Sequence, residues 1–380
     1  MYWQYDLFRS GVTWTNGGTY IEELPKDGLL SSILVHAYRG GVTDSMLTTG
    51  NLWRLHDFID PFEIVLNGSD KAYTLSGQVG RYFDWLDGSP ALLDKRFNYG
   101  SSTKRHHTLI NFGRYFQDPV YGLDLSKFNS VEVKFTNSGS STYFGGDWSL
   151  DLILVMKRED PSAFRGYMRK EEWRKWTTVS DEWKYLELPT AHRIRRIVMQ
   201  VIPDEDGTYL AAEATPYHVL SDIKLLLDSG RLEMFNGNLR DLWYINAFDM
   251  GRDIIQGIEP YHTQDYGIWT GLGQTLGMGG VRIPHDGVQD TATTSITPGD
   301  DSSSIRRMTD TDSDQDSMIV AGLSLENCSH FRFDHDPNPE TWLDPNARKT
   351  VRLDCHTDSG ATYADGTIRV CLDRYVPYTA

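Results

Sequence analysis

The sequence predicts an all-β chain arranged as two consecutive domains, and three observations carry that expectation. Aromatic residues make up 12% of the 380, and 34 Gly and 15 Pro are spread among them; this suits many short strands joined by turns better than long helices. In segment after segment, apolar and polar residues alternate at the period of a half-buried strand. The length also exceeds that at which one core usually stops growing, so two units of ordinary size are expected.

Taken in order, residues 1–18 hold Tyr2, Trp3, Tyr5, Phe8 and Trp14 before a turn at Asn16-Gly17-Gly18. They read as an N-terminal arm, with packing on its own domain favoured over projection. Tyr20 to Leu24 and Ile33 to Arg39 are strand-like, as are Leu52 to Leu55, Phe62 to Leu66 and Ala72 to Leu75. Asn67-Gly68 between two apolar alternations is a strong hairpin signal. Val79, Tyr82, Phe83 and Leu86 then recur at helical spacing and predict a short helix or turn cap.

The clearest strands flank a polar loop at 137–147. Val131 to Thr136 alternates strictly; Trp148 to Met156 begins in alternation and ends in five apolar residues. That ending predicts a central strand covered on both faces. Just upstream, residues 112–126 set Gly113, Pro119 and Gly122 among aromatics and read as an ordered, packed connection.

An internal echo supports duplication. Adding 160 lays Leu66, Ser69 and Gly77 on Leu226, Ser229 and Gly237, and apolar Val65, Leu75, Val79, Tyr82 and Phe83 on Leu225, Phe235, Leu239, Leu242 and Trp243. A common offset of turn and apolar pattern favours two similar barrels. Between the copies, Tyr167 to Trp176 is charged and free of β-branching, which predicts a short surface helix linking them. Good strands follow at Trp183 to Leu188 and Ile194 to Ile202. The pattern decays from 249 to 316 into a long loop or tower, and strands resume at Ser317, Phe331, Thr350 and Thr367.

One ordered series carries a resemblance: Phe112-Gly113-Arg114, an aromatic pair, Asp118-Pro119, Tyr121 to Ser126, then the alternating strand, polar loop and apolar strand. It resembles the end of the first barrel in double jelly-roll major capsid proteins, the coat proteins of tailless icosahedral viruses, many with an internal membrane. The likeness is one of pattern and order and runs over roughly residues 30–200. It implies two eight-stranded jelly-roll sandwiches side by side, with short helices and long loops. The units would be an arm at 1–18, a first jelly roll at 19–160, a linker helix at 161–182 and a second jelly roll at 183–380 with the insertion at about 249–316.

The resemblance further implies a homotrimer forming a pseudo-hexagonal capsomer in an icosahedral shell. Neighbouring capsomers, and minor capsid or internal membrane proteins, would be its partners. The setting would be the virion, with assembly in the host cytoplasm. The family needs no reactive residue, so no enzyme activity and no cofactor are expected.

Composition narrows the alternatives. A net charge of −16 without a basic block disfavours direct nucleic-acid binding. Cys328, Cys355 and Cys371 are few and odd in number, so no disulfide framework is expected. The first residues lack the charged and apolar regions of a secretory signal, and no apolar run approaches the roughly 20 residues of a spanning helix.

Candidate chemistry is sparse. Asp310, Asp312, Asp314 and Asp316 are weak calcium candidates: alternate carboxylates begin a calcium loop, but the glycine is missing and Ala321 stands where the bidentate Glu belongs. Cys328, His330, His335, Cys355, His356 and Cys371 include zinc-ligand types without paired CxxC spacing. Glu22-Glu23, Glu171-Glu172 and Asp204-Glu205-Asp206 are sequence neighbours whose side chains diverge on a strand. His106-His107 have no activated nucleophile beside them, and the glycine-rich 271–277 lacks a P-loop's Lys-Ser/Thr. No catalytic residue is assigned. A carbohydrate-binding or carbohydrate-cleaving sandwich remains the alternative, since 11 Trp and 20 Tyr could supply stacking platforms; a minor capsid or spike component is another.

Overall fold

A computed structural model describes residues 1–39, 59–88, 104–138, 147–160, 162–203, 216–250, 254–258, 279–282, 318–322, 325–358 and 366–378. The first half contributes β1 (Tyr2–Trp14), β2 (Thr19–Glu23), β3 (Leu29–Arg39), β4 (Ile59–Leu66), β5 (Asp70–Leu75), α1 (Gly77–Leu86), β6 (Lys104–Asn111), the two-residue β7 (Leu123–Asp124), β8 (Val131–Asn137) and β9 (Trp148–Arg158). The second half contributes β10 (Gly166–Thr177), β11 (Trp183–Glu187), β12 (Arg193–Pro203), α2 (Pro216–Val219), β13 (Asp222–Leu227), β14 (Leu232–Gly237) and α3 (Leu239–Met250). An insertion with β15 (Ile254–Ile258), β16 (Gly279–Arg282) and β17 (Met318–Gly322) precedes β18 (Cys328–Arg332), β19 (Val351–His356) and β20 (Gly366–Pro377).

The two halves have the same connectivity. In the first, β1-β9-β3-β6 form one sheet and β2-β8-β4-β5 the other; in the second, β10-β20-β12-β18 and β11-β19-β13-β14 do the same. Leaving aside β7 and the insertion, each half is an eight-stranded jelly-roll sandwich. Parallel pairing of β5 with β10, at Tyr73 with Lys170 and Thr74 with Glu171, fuses the second sheet of one sandwich to the first sheet of the next. The result is one continuous eight-stranded sheet, β18-β12-β20-β10-β5-β4-β8-β2.

Each sandwich has its own core. Leu30, Ile33, Ile64, Phe62, Val133, Phe135, Leu152 and Leu154 belong to the first; Ile197, Met199, Leu225, Leu353, Val370 and Trp243 belong to the second. The alternation of β8 is realised residue by residue, with Val131, Val133 and Phe135 inward. The Asn67-Gly68 turn closes the β4–β5 hairpin, both residues having positive φ, 50° and 77°, as a twist-matched two-residue turn requires. The internal echo is the same strand-hairpin-strand-helix unit. The helix caps Ser76 and Asn238 place the repeat 162 residues apart at this point, not 160.

Three expectations need correction. Residues 167–176 are not a helix but the middle of β10. Their charges are spent in cross-strand pairs: Glu172 takes Arg369 at 3.2 Å, Glu171 takes Arg374, and Lys170 is fully buried. Such pairs stabilise a sheet without β-branching. Residues 2–14 pack on their own domain, as favoured, but as a strand and not as a separate arm: β1 pairs with β9 from Tyr2 to Trp14 at the edge of the first sandwich. The stretch 249–316 is not one loop, since β15 and β16 pair with β17 in a three-stranded sheet of their own. The strand expected at 52–55 and the acidic 204–206 lie outside the described residues.

Candidate functional site

The most elaborate side-chain constellation among the described residues lies where the two sandwiches meet. Asp87, at the C-terminal cap of α1, accepts from Lys170 Nζ of β10 at 2.5 Å, from Arg195 Nη1 at 2.9 Å, from Arg196 Nη1 at 2.7 Å and from Asn111 Nδ2 of β6 at 3.1 Å. Asp334 takes Arg195 Nε at 2.7 Å, Arg196 Nη2 at 3.1 Å and Arg332 Nε at 2.9 Å. Asp373 of β20 faces Arg195 at 3.2 Å. The side chains of Lys170, Asp87, Arg195, Arg196 and Asp373 are all at least 95% buried. A charged network this dry survives because Asp87, Asp334, Arg195 and Arg196 each have several opposite partners.

A local irregularity lets adjacent arginines act together. Neighbours on a regular strand point to opposite faces, but the β12–β20 register shifts between Ile194 and Arg196. Arg195 sits in that bulge, so both guanidinium groups reach Asp87 and Asp334. Burial alone pushes the Asp87 carboxyl up; Lys170, Arg195 and Arg196 outweigh it and hold it at about 2. Burial likewise opposes ionisation of Asp334, yet Arg196 and Arg195 keep it well below the usual carboxylate range. Asp373 goes the other way, burial raising it more than Arg195 and Lys170 lower it.

Two further contacts extend the seam. Arg81 of α1 donates to Glu326 at 2.9 Å, and the Tyr82 hydroxyl meets His330 Nδ1 of β18 at 2.8 Å; burial depresses the His330 imidazolium. The connection at 112–126 is ordered and packed, as expected. Arg114 is held by Asp118 at 2.6 and 3.0 Å, and its carbonyl accepts from Arg195 Nη2 at 2.7 Å. Gly113 is glycine for space: a Cβ there would sit 2.6 Å from Asp118 Cβ and 3.0 Å from the Tyr121 carbonyl.

Most residues singled out from sequence are not brought together. The calcium candidates Asp310, Asp312, Asp314 and Asp316 lie outside the described residues. Cys355 lies in the second core, where burial pushes its thiol up to about 12; Cys328 and Cys371 pack against the first. All three are buried and unpaired with one another. Among the described residues no group of three His, Cys, Asp or Glu is placed to hold a metal. His107 stacks on His36 with ring centres 4.4 Å apart, and His36 Nδ1 contacts Asp151 at 3.2 Å. Glu22 pairs with Arg9 at 2.7 Å.

The feature bearing on sugar binding is a row on β11, where Trp183 and Tyr185 lie parallel with centres 6.2 Å apart. Nearby, Asp222 and Asp181 take opposite nitrogens of His356, each at 3.1 Å, and that ring stacks on Trp183. The imidazole stands between the carboxylates, so they do not converge on a common bond as a hydrolytic acid pair must.

The seam itself escaped the sequence reading. The one available signal was Arg195-Arg196 leading into the apolar run of β12, since two charges at the head of a buried strand demand buried partners.

No family model and no curated protein sequence matches the chain. Solved structures do. The chain superposes on the STIV MCP with a TM-score of 0.59 at 10% identity, covering 99% of this chain and 97% of that one. It superposes on the PBCV-1 virus capsid at 0.57 and 10%, covering 98% and 94%, and on the major capsid protein P2 from bacteriophage PM2 at 0.52 and 11%, covering 100% and 98%. With its repeated connectivity and fused central sheet, the chain folds as a double jelly roll, the architecture of these viral coat proteins.

Proposed function

We propose that this chain is a viral major capsid protein that assembles as a homotrimer into pseudo-hexagonal capsomers of an icosahedral shell. The observation that carries this reading is the rigid fusion of two sandwiches of identical connectivity, locked by a continuous sheet and a buried ionic seam. Three such chains around an axis present six similar blocks, which is how a threefold object tiles a sixfold position. The work is done by flanks, so no catalytic group is called for. Partners in this reading are neighbouring capsomers together with minor capsid or internal membrane proteins, in the virion after assembly in the host cytoplasm. Among the described residues no helix is long and apolar enough to cross a membrane. Light scattering on the purified protein should give three times the chain mass, and negative-stain images should show hexagonal outlines. A monomer persisting at high concentration refutes the proposal.

A further inference from the structure

The helices that follow the fifth strand of each sandwich occupy equivalent places, yet only one is covered on its far side. α1 starts from the cap Ser76 and α3 from the cap Asn238. Eight residues beyond each cap, a side-chain oxygen accepts a backbone N–H of the sixth strand: Asp84 from Leu109 in β6, Asn246 from His330 in β18. This alignment makes Tyr82, Phe83 and Leu86 the counterparts of Tyr244, Ile245 and Phe248. The first three are at most 6% exposed, with Tyr82 on His330 and Lys170 Nζ over the Phe83 ring. The second three are 46%, 51% and 85% exposed. A helix apolar on two sides is built to be covered on both.

The strands beside the helices repeat in the same way. β5 is joined in parallel to β10, whereas among the described residues its counterpart β14 is an edge strand, and so is β1, the counterpart of β10. The equivalence of β1 and β10 is visible at their bulges. Arg9 lies 4.1 Å over the Phe8 ring in one, and Arg174 lies 4.7 Å over Trp173 in the other. On the face of the β1 sheet away from its core, one row is apolar: Leu7, Ile153, Leu34 and Leu109 oppose one another across four strands. Leu7 is 57% exposed.

We propose that the β14 edge and the exposed face of α3 dock on β1 and this apolar row of a second copy of the chain, β14 running parallel to β1. The inference rests on the trimeric capsid reading, in which each second sandwich must meet the first sandwich of the next chain. A closed ring needs two different complementary patches, and one stands on each sandwich. The occupant is a second copy because what α3 lacks corresponds, position by position, to what the first sandwich presents. Where Lys170 faces α1, its counterpart in the first sandwich is Tyr5, 59% exposed. Transferring the register of the fused strands sets Tyr5 against Phe235 and Asp6 against Asn236.

Cysteine cross-linking tests this directly, because the native cysteines are all buried. The full chain carrying both Asp6→Cys and Asn236→Cys should give disulfide-linked oligomers on a non-reducing gel after mild oxidation, and either single variant should not. Phe248→Glu and Leu7→Glu should each raise the trimer dissociation constant at least tenfold with the monomer's circular dichroism unchanged, while Ile21→Glu leaves the trimer intact. If the wild type is a trimer but both glutamate variants remain trimeric and no cross-link forms, the docking surface is wrong and the capsid reading stands. If Phe248→Glu stays trimeric but melts early, α3 is covered within its own chain and the inference falls. A wild type that is itself monomeric overturns the capsid reading.

Discussion

Replacing Asp87 by Asn is the sharpest test of the seam, because it removes one charge and keeps the shape. The carboxylate receives Lys170, Arg195 and Arg196 within 2.9 Å, all of them buried. The amide leaves those cations with Asp334 and a carboxyl at Asp373 that burial already pushes toward its neutral form. Removing one member of a buried ion network costs about 3–5 kcal/mol, since the remaining charges stay desolvated. For 380 residues unfolding as one unit, an entropy of about 2.1 cal/mol/K per residue converts roughly 4 kcal/mol into a fall of about 5 °C in Tm. Because the lost contacts join two cores, scanning calorimetry should also split one transition into two. The more exposed pair Lys184 and Glu182 supplies the control, and Glu182→Gln should move Tm by less than about 1 °C. An Asp87→Asn protein melting within about 1 °C of wild type, in a single transition, would refute the assignment of the seam as the lock.

Two further predictions follow from the same geometry. The folded Asp87 carboxyl, at about 2, lies below its ordinary value, so its contribution is fully present above about pH 4 and is lost as pH falls through about 2. Asp373 has the opposite sign: its carboxyl is raised, so it takes a proton first and with no loss of stability. Melts from pH 6 to pH 2 should therefore show a plateau and then a steep fall, with the fall shallower in Asp87→Asn, where Asp334 still has to take a proton. Separately, Gly122→Ala places a Cβ 2.5 Å from the Phe164 ring and 2.9 Å from the Leu30 carbonyl. Overpacking of this kind costs about 1–3 kcal/mol, readable as a lower urea midpoint with unchanged slope.

What sequence reading recovers here is what lies close in the chain. The β8 alternation, the Asn67-Gly68 turn and the Val79-Tyr82-Phe83-Leu86 spacing each depend on residues within about ten positions, and each became the expected element. The echo between the two halves was legible because hairpin and following helix repeat as a unit. The seam was not, because Asp87, Lys170, Arg195, Asp334 and Asp373 come from five separated segments and meet only after both sandwiches form. Reading β10 as a helix was the same failure in miniature. Its charges looked solvated in isolation, and only their partners on β20 and α1 turn a polar stretch into a central strand.

The contrast between the two faces explains why equivalent positions carry such different residues. Within the chain, β5 and β10 are tethered, so their effective concentration is high and docking needs little free energy of its own. An ionic seam suits that situation: desolvation makes it a poor source of stability, but it fixes one relative position of the blocks. Between chains the contact must overcome the lost translational and rotational freedom of association, several kcal/mol at least, before any affinity appears. Apolar area supplies that, at about 25 cal/mol per Å². Tyr5 in place of Lys170 is then the same junction rewritten for untethered partners. Exchanging Tyr5 for Lys should weaken the oligomer without unfolding the chain, since Tyr5 is 59% exposed in the single copy.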